Sequence, residues 1–257
     1  MMRKTILAAA IAAAAAVPGL ASAQATSPNT VTGNMALVSD YRFRGISQTF
    51  AQPAIQGGID YAHSSGFYLG TWESNVSGLT YTDGTLEMDF YGGYKFAAGP
   101  VGLDVGVLQY YYPNAKIAGS GTKYDTLEAY VAASWKWITA KYSITTTDYF
   151  GANSTTSAAC TGGDSKGSGY LDVTASYEIM PKLTLIGHYG NQSIKDCKPL
   201  EYSDYKIGLN YDMNGWVLGA AYIDTDADSA LYTLTSGAGK TKDLGKGTVV
   251  LSIGKSF

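Results

Sequence analysis

The sequence is short of charge. Of its 257 residues only 15% are Asp, Glu, Lys or Arg, against roughly 25% in an ordinary soluble domain, and hydrophobic residues at 46% do not fill the gap. A net charge of −3 excludes the clustered Lys/Arg footprint of nucleic-acid binding. There are 2 histidines and 2 cysteines. The first scarcity argues against an enzyme, since neither His63 nor His188 has a nucleophile at usable spacing. The second excludes a disulfide-dense scaffold. Long apolar runs are missing beyond the N-terminus: the most continuous, 216–223, contains Gly219 and falls far below the roughly 20 residues of a spanning helix. No cofactor motif is present. Asp224-x-Asp226-x-Asp228 opens like a calcium loop but lacks the following Gly and the closing Glu, so no metal is expected.

What is abundant is Gly, at 31, and Tyr, at 21. With Ser, Thr and Asn they suit half-buried pleated surfaces and turns rather than long helices. The N-terminus has Arg3 and Lys4, an Ala-dominated run over 5–17 and the small residues Ala21-Ser22-Ala23, which is the order of a secretory signal. We therefore divide the chain into a signal peptide (1–23), a short tail (24–30) and one domain (31–257). Cys160 and Cys197 fall in two neighbouring long loops of that exported domain, and an oxidising compartment favours their pairing.

Segments of about ten residues with every second position apolar recur along the domain, the pattern of strands with one greasy and one polar face. The first runs from Val31 to Arg44, with Val31, Met35, Leu37, Tyr41 and Phe43 on one face and Asp40, Arg42 and Arg44 on the other. In the third, Tyr68, Gly70 and Trp72 are taken as the apolar face. The fourth sets Leu86, Met88, Phe90 and Tyr94 against Glu87, Asp89, Tyr91 and Lys95. Connections alternate strictly between tight turns and long loops. The expected fold is an all-β transmembrane antiparallel up-and-down β-barrel of about 12 strands, with short periplasmic turns and longer extracellular loops. Aromatic residues fall into two groups by depth, as two girdles would. Tyr61, Phe67, Tyr94, Phe96, Trp135, Trp137, Tyr177, Tyr211, Trp216 and Phe257 lie at the short-turn end; Tyr41, Phe43, Tyr110, Tyr149, Tyr205 and Tyr222 lie toward the long loops.

The segment Ser39-Asp40-Tyr41-Arg42-Phe43-Arg44-Gly45-Ile46-Ser47-Gln48-Thr49, with Pro53-Ala54-Ile55-Gln56-Gly57-Gly58, resembles the TorF porin family of proteobacteria. So do Leu86-Glu87-Met88-Asp89, Tyr110-Tyr111-Tyr112-Pro113, Asp148-Tyr149-Phe150-Gly151 and Lys246-Gly247-Thr248-Val249-Val250-Leu251-Ser252. The resemblance covers the mature chain. It implies an integral outer-membrane barrel in contact with lipid and lipopolysaccharide, and brings neither a catalytic motif nor a substrate.

The inward alternation positions give the candidate pore lining: Asp40, Arg42, Arg44, Asp60, Glu87, Asp89, Lys95, Asp104, Glu128, Lys141, Asp172, Glu178, His188, Asp204 and Lys206, with Glu73 as a further acid. Acids outnumber bases. The expected function is passive diffusion of small polar solutes or ions, biased by the charges lining the path. The alternative is a non-conducting structural or surface-interaction barrel, its charges paired and its lumen plugged, because a barrel of this size lies between filled and channel-forming ones. Asp40, Arg42 and Arg44 are expected to rise as a ladder of about 7 Å per step, with the arginines facing carboxylates such as Asp60 or Glu87. No strand shows a polar lipid face that would mark a subunit contact, and oligomeric state stays open.

Overall fold

The computed structural model describes residues 27–257; the expected signal peptide and residues 24–26 of the tail lie outside the described residues, and the end of the tail already belongs to the first strand. Antiparallel strands form one closed barrel in which each strand pairs with its sequence neighbours and the last pairs with the first. We number the barrel strands β1 (Asn29–Val38), β2 (Ala54–His63), β3 (Phe67–Asn75), β4 (Leu86–Ala98), β5 (Val101–Tyr111), β6 (Thr126–Trp135), β7 (Ile138–Thr145), β8 (Gly169–Met180), β9 (Leu183–Ser193), β10 (Tyr202–Met213), β11 (Trp216–Thr225) and β12 (Thr248–Ser256). Closure is made by Asn34–Val38 of β1 against Ser252–Ser256 of β12, with Gly33 and Phe257 exchanging backbone hydrogen bonds beyond the ladder. A closed barrel leaves no strand edge unpaired.

Tight turns at 64–66, 99–100, 136–137, 181–182 and 214–215 close one end, here the inner rim. Asn214 and Gly215 both take positive φ, 54° and 92°, the twist a two-residue hairpin turn requires. Loops L1 (39–53), L2 (76–85), L3 (112–125), L4 (146–168), L5 (194–201) and L6 (226–247) occupy the other end, the outer rim.

The side-chain alternation resolves into an apolar outside. Ile55 and Val249 are 68% and 61% exposed, and Leu37, Phe90, Val131, Ile207 and Leu251 project beside them. Soluble monomers rarely leave such a continuous apolar band to water, and hydrocarbon is a solvent in which it is stable. The inner-rim girdle forms as expected, with Phe67, Phe96, Trp135, Trp137, Tyr177, Tyr211 and Trp216 all projecting outward.

Three expectations are corrected. β1 ends at Val38, and residues 39–44 leave the wall instead of continuing it. The parity of β3 is the reverse of that expected: Phe67 and Leu69 project outward while Tyr68 is buried inside at 4% exposure. The same reversal moves Glu73 off the interior face, since it pairs in register with Gly57 and Met88 on the outward rows. Of the expected outer girdle, Tyr205 and Tyr222 project outward, whereas Tyr41 and Tyr110 are buried inside and Phe43 packs against Tyr110 and Phe150. A buried phenol needs a partner for its hydroxyl, and in this barrel the interior carboxylates supply it.

Candidate functional site

L1 is the part of the chain that decides the shape of the interior. It starts between β1 and β2 and crosses the lumen. The Arg44 guanidinium donates from Nη2 to both oxygens of Glu128 on β6, at 2.8 and 2.7 Å, and from Nη1 to Gln192 Oε1 on β9 at 2.7 Å. It lies 4.2 Å over the Tyr170 ring of β8 and 4.7 Å over Phe43. Burial alone would favour a neutral guanidinium, but Glu128 outweighs it and holds the pKa of Arg44 well above its ordinary value. Gly45 turns the chain at φ 81°, and a Cβ there would sit 2.7 Å from Asp204 Cβ, so the tip fits against β10 only as glycine.

The rest of L1 is tied to itself and to the other loops. Arg42 Nε pairs with Asp40 at 2.8 Å and its Nη1 donates to the carbonyls of Gly45 and Lys246. Ser47 Oγ donates to Asp40 Oδ1 at 2.6 Å. Tyr41 donates to Glu87 at 2.9 Å, and Tyr81 of L2 donates to Gln48 at 2.6 Å. Ile46 and Phe50 pack with Tyr202 and Leu244, joining L1 to L6. Cys160 of L4 and Cys197 of L5 form a disulfide packed around Ile194. The expected arginine ladder is thus replaced by two ion pairs in a folded loop, and the partners are Asp40 and Glu128 rather than Asp60 or Glu87. Arg42–Phe43 and Ile46–Ser47 form a small hairpin of their own.

Below L1 the wall carries the remaining candidates. Glu87 and Glu128 are 0% and 1% exposed, and one oxygen each of Glu87 and Asp89 is buried without a hydrogen-bond donor. Asp104 accepts from Tyr68 at 2.7 Å and Asp60 from Tyr91 at 2.6 Å, with Tyr68 also bonded to Tyr130. Lys95 lies over the Tyr68 ring and Lys141 over the Tyr130 ring. His188 sits between Asp204, 2.9 Å from Nε2, and Asp172, 3.4 Å from Nδ1; Tyr170 completes the group on Asp204 at 2.8 Å. Lys206 stands beside His188 in register. Glu178 lies at the inner rim, where it accepts from the Lys182 amide.

Two further groups of side chains have clear partners. Thr174 Oγ1 lies 3.0 Å from His188 Nδ1, a hydroxyl–imidazole–carboxylate sequence that sequence reasoning missed. Both ring nitrogens face carboxylate oxygens, however, so the ring has none left as a base toward Thr174. The acidic run of 224–228 is spent on backbone: Asp226 accepts from the Ser203 amide, Asp228 from Ala230 at the start of a short helix, and Asp224 from Thr225. Among the described residues no cluster suited to a metal ion forms.

Burial grades along the axis. Inward positions near the outer rim, such as Gln56, Ser74, Thr126, Thr145 and Gln192, are buried; near the inner rim Ala62, Gly102, Ser134 and Glu178 are exposed, while Tyr68 and Val217 stay buried. The interior is filled by L1 in its outer half, and a shallow vestibule opens beside part of the tight-turn rim.

A closed antiparallel barrel with an apolar outside and a charged, tyrosine-lined inside has the architecture of porins. Among solved structures the fold is similar to the KdgM porin, with TM-score 0.51 and 7% identity over 89% of this chain and 98% of that one. That porin is also known in complex with disordered oligogalacturonate, at TM-score 0.50. The NanC porin matches with TM-score 0.50 and 12% identity, covering 89% and 99%. At such identities the likeness is one of fold. No curated protein matches the chain. Residues 22–257 match the family described as bacterial protein of unknown function (Gcw_chp), and the chain belongs to that family. The match does not carry the TorF name.

Proposed function

We propose that the protein is an outer-membrane channel for passive diffusion of small polar solutes or ions, oriented with the tight turns in the periplasm and the long loops outside, in contact with outer-membrane lipid and lipopolysaccharide. The signal expected at residues 1–23 would direct its export. L1 forms the constriction, and the vestibule below it leads to the periplasm.

The observation that carries this reading is the unequal charge of the interior. Asp60, Glu87, Asp89, Asp104, Glu128, Asp172 and Asp204 face Lys95, Lys141, Lys206 and the L1 arginines, so acids predominate. Asp60, Asp104 and Asp172 are only half-buried on the inner wall, where their carboxylates attract a passing cation and repel anions. Oligogalacturonate, held by the KdgM porin, is a chain of carboxylates; this interior disfavours such a cargo. The test is single-channel recording of refolded protein in planar bilayers across a KCl gradient. Discrete steps with a reversal potential on the cation side are expected, moving toward zero in Asp60→Asn and Asp104→Asn; an unmoved reversal potential in both discards the selectivity reading. The filled outer half favours a second reading, a non-conducting surface-interaction barrel, and electrical silence at all salt concentrations would select it.

A further inference from the structure

The wall opposite the charged strands is smooth. On β10, β11 and β12 the inward residues stand in register as rows: Asn210 beside Gly219 beside Ser252, then Gly208 beside Ala221 beside Val250, then Lys206 beside Ile223. A cavity of about 30 Å³ lies against these rows, lined by Lys206, Asn210 and Ser252 and by Ile186, Ile223 and Val250. At about 10–15 Å³ per water on this measure, it has room for two or three water-sized groups, enough to seat a carboxylate head. Missing bulk creates the space: a Cβ on Gly219 would collide with Ser252 Oγ and lie 3.0 Å from Asn210 Oδ1.

Two donors border this cavity with nothing to donate to. Asn210 Nδ2 is buried without an acceptor. The Lys206 ammonium makes no direct hydrogen bond or ion pair among the described residues, and Asp172 and Asp204 act on it only through space. The carboxylates nearest to it along the wall are already engaged, Asp204 by His188 and Tyr170 and Asp172 by His188 and Thr174. Buried donors are satisfied in native proteins, and the chemistry that satisfies an ammonium and an amide N–H together is a carboxylate. The other half of the lining is aliphatic.

We propose that this cavity is a binding site for a small monocarboxylate, with its carboxylate on Lys206 and Asn210 and a short alkyl group against Ile186, Ile223 and Val250. The proposal rests on the channel reading in so far as water must reach the vestibule, and it adds a bound anion on one wall beside a path that the acids bias toward cations. One fixed cation matches one negative charge. Asp172 and Asp204, close enough to act on Lys206, repel a second, so dicarboxylates and longer polyanions are rejected. An inorganic anion would leave the aliphatic half unused.

The test is titration of acetate and propionate onto the folded barrel in detergent micelles, read as broadening of the ligand methyl signal in NMR. Saturable broadening is expected, with propionate bound at least as tightly as acetate. Lys206→Met should weaken binding about tenfold or more and Lys206→Arg should retain it. Asn210→Leu should weaken it with the ammonium intact, and Gly219→Val should abolish it by filling the cavity with both donors in place, which keeps the test open if Lys206→Met fails to fold. Broadening that never saturates, that is equal in all variants, or that chloride displaces as effectively as acetate overturns the site. Saturable binding to an electrically silent barrel would overturn the channel and keep the site; conductance without binding would do the reverse.

Discussion

Arg44 Nη2 reaches both carboxylate oxygens of Glu128 from the opposite side of the barrel, at 2.8 and 2.7 Å. The two residues are 6% and 2% exposed at their side chains, so water competes for neither. Removing one partner of a buried pair leaves an uncompensated charge and costs roughly 3–5 kcal/mol. Arg44→Ala is therefore expected to release the tip of L1 without opening the strand ladder. Single-channel conductance should rise and L1 should become cleavable by added protease, and a conductance equal to that of the native barrel would show that L1 does not obstruct the path.

The same pair sets a pH expectation. The pKa of Arg44 is raised in the folded state, so its contribution is fully present below the ordinary arginine value and is lost only as pH rises through the still higher folded value. Between about pH 7 and 10, below both values, L1 should stay seated. Conductance and hydrogen exchange of residues 39–53 measured across that interval should be flat, and a rise on the alkaline side would assign the lock to another group.

The Cys160–Cys197 bond closes a separation of 37 residues between L4 and L5. By chain entropy such a closure is worth about 4 kcal/mol, and it acts on loops rather than strands. Reduction should speed hydrogen exchange in 146–168 and 194–201 and leave the exchange of β8 and β9 unchanged. Loss of barrel protection on reduction would mean that the loops hold the wall together.

The reversed parity of β3 is checked by two neighbouring substitutions. Leu69→Arg places a charge against hydrocarbon and should cost about 2 kcal/mol or more in urea unfolding from lipid vesicles. Tyr68→Phe should cost about 1–3 kcal/mol by a different route, because it strips Asp104 and Tyr130 of their phenol partner. If Leu69→Arg is neutral, the strand faces the other way.

The sequence made the wall legible and the plug illegible. Period two is imposed by the pleat, so Leu86 to Tyr94 and Ile207 to Tyr211 declare their faces without any knowledge of their neighbours. The alternation of turn and loop length follows from the same up-and-down path. Asp40-Tyr41-Arg42-Phe43-Arg44 alternates just as well, yet it leaves the wall, because alternation records two environments and a loop folded inside a barrel also has two. The local signals were Gly45 directly after Arg44 and the hydroxyls of Ser47 and Thr49 within reach of Asp40. β3 misled for another reason: Phe67, Tyr68, Leu69 and Trp72 put aromatic or apolar residues on both faces, and only Asp104 and Tyr130, far along the chain, decide which goes in. Tyrosine is ambiguous for the same reason: alternation places Tyr91 inward, but Tyr41, Tyr68 and Tyr110, which read as lipid-facing, serve interior carboxylates as Tyr91 and Tyr170 do.

Gly33 and Phe257 bond to each other at 2.8 and 2.9 Å from opposite ends of the domain, and every other seam of the wall joins neighbours in sequence. Hairpins can therefore form in order of synthesis, each paid for by local contacts, but the seam between β1 and β12 must wait for the final strand. Contacts of such span are the slow ones. Until that moment both end strands present open edges, so the unfinished chain is a curved sheet prone to pair with whatever strand it meets. A helper that shields those two edges during insertion, rather than one that assists any single hairpin, is what this topology demands.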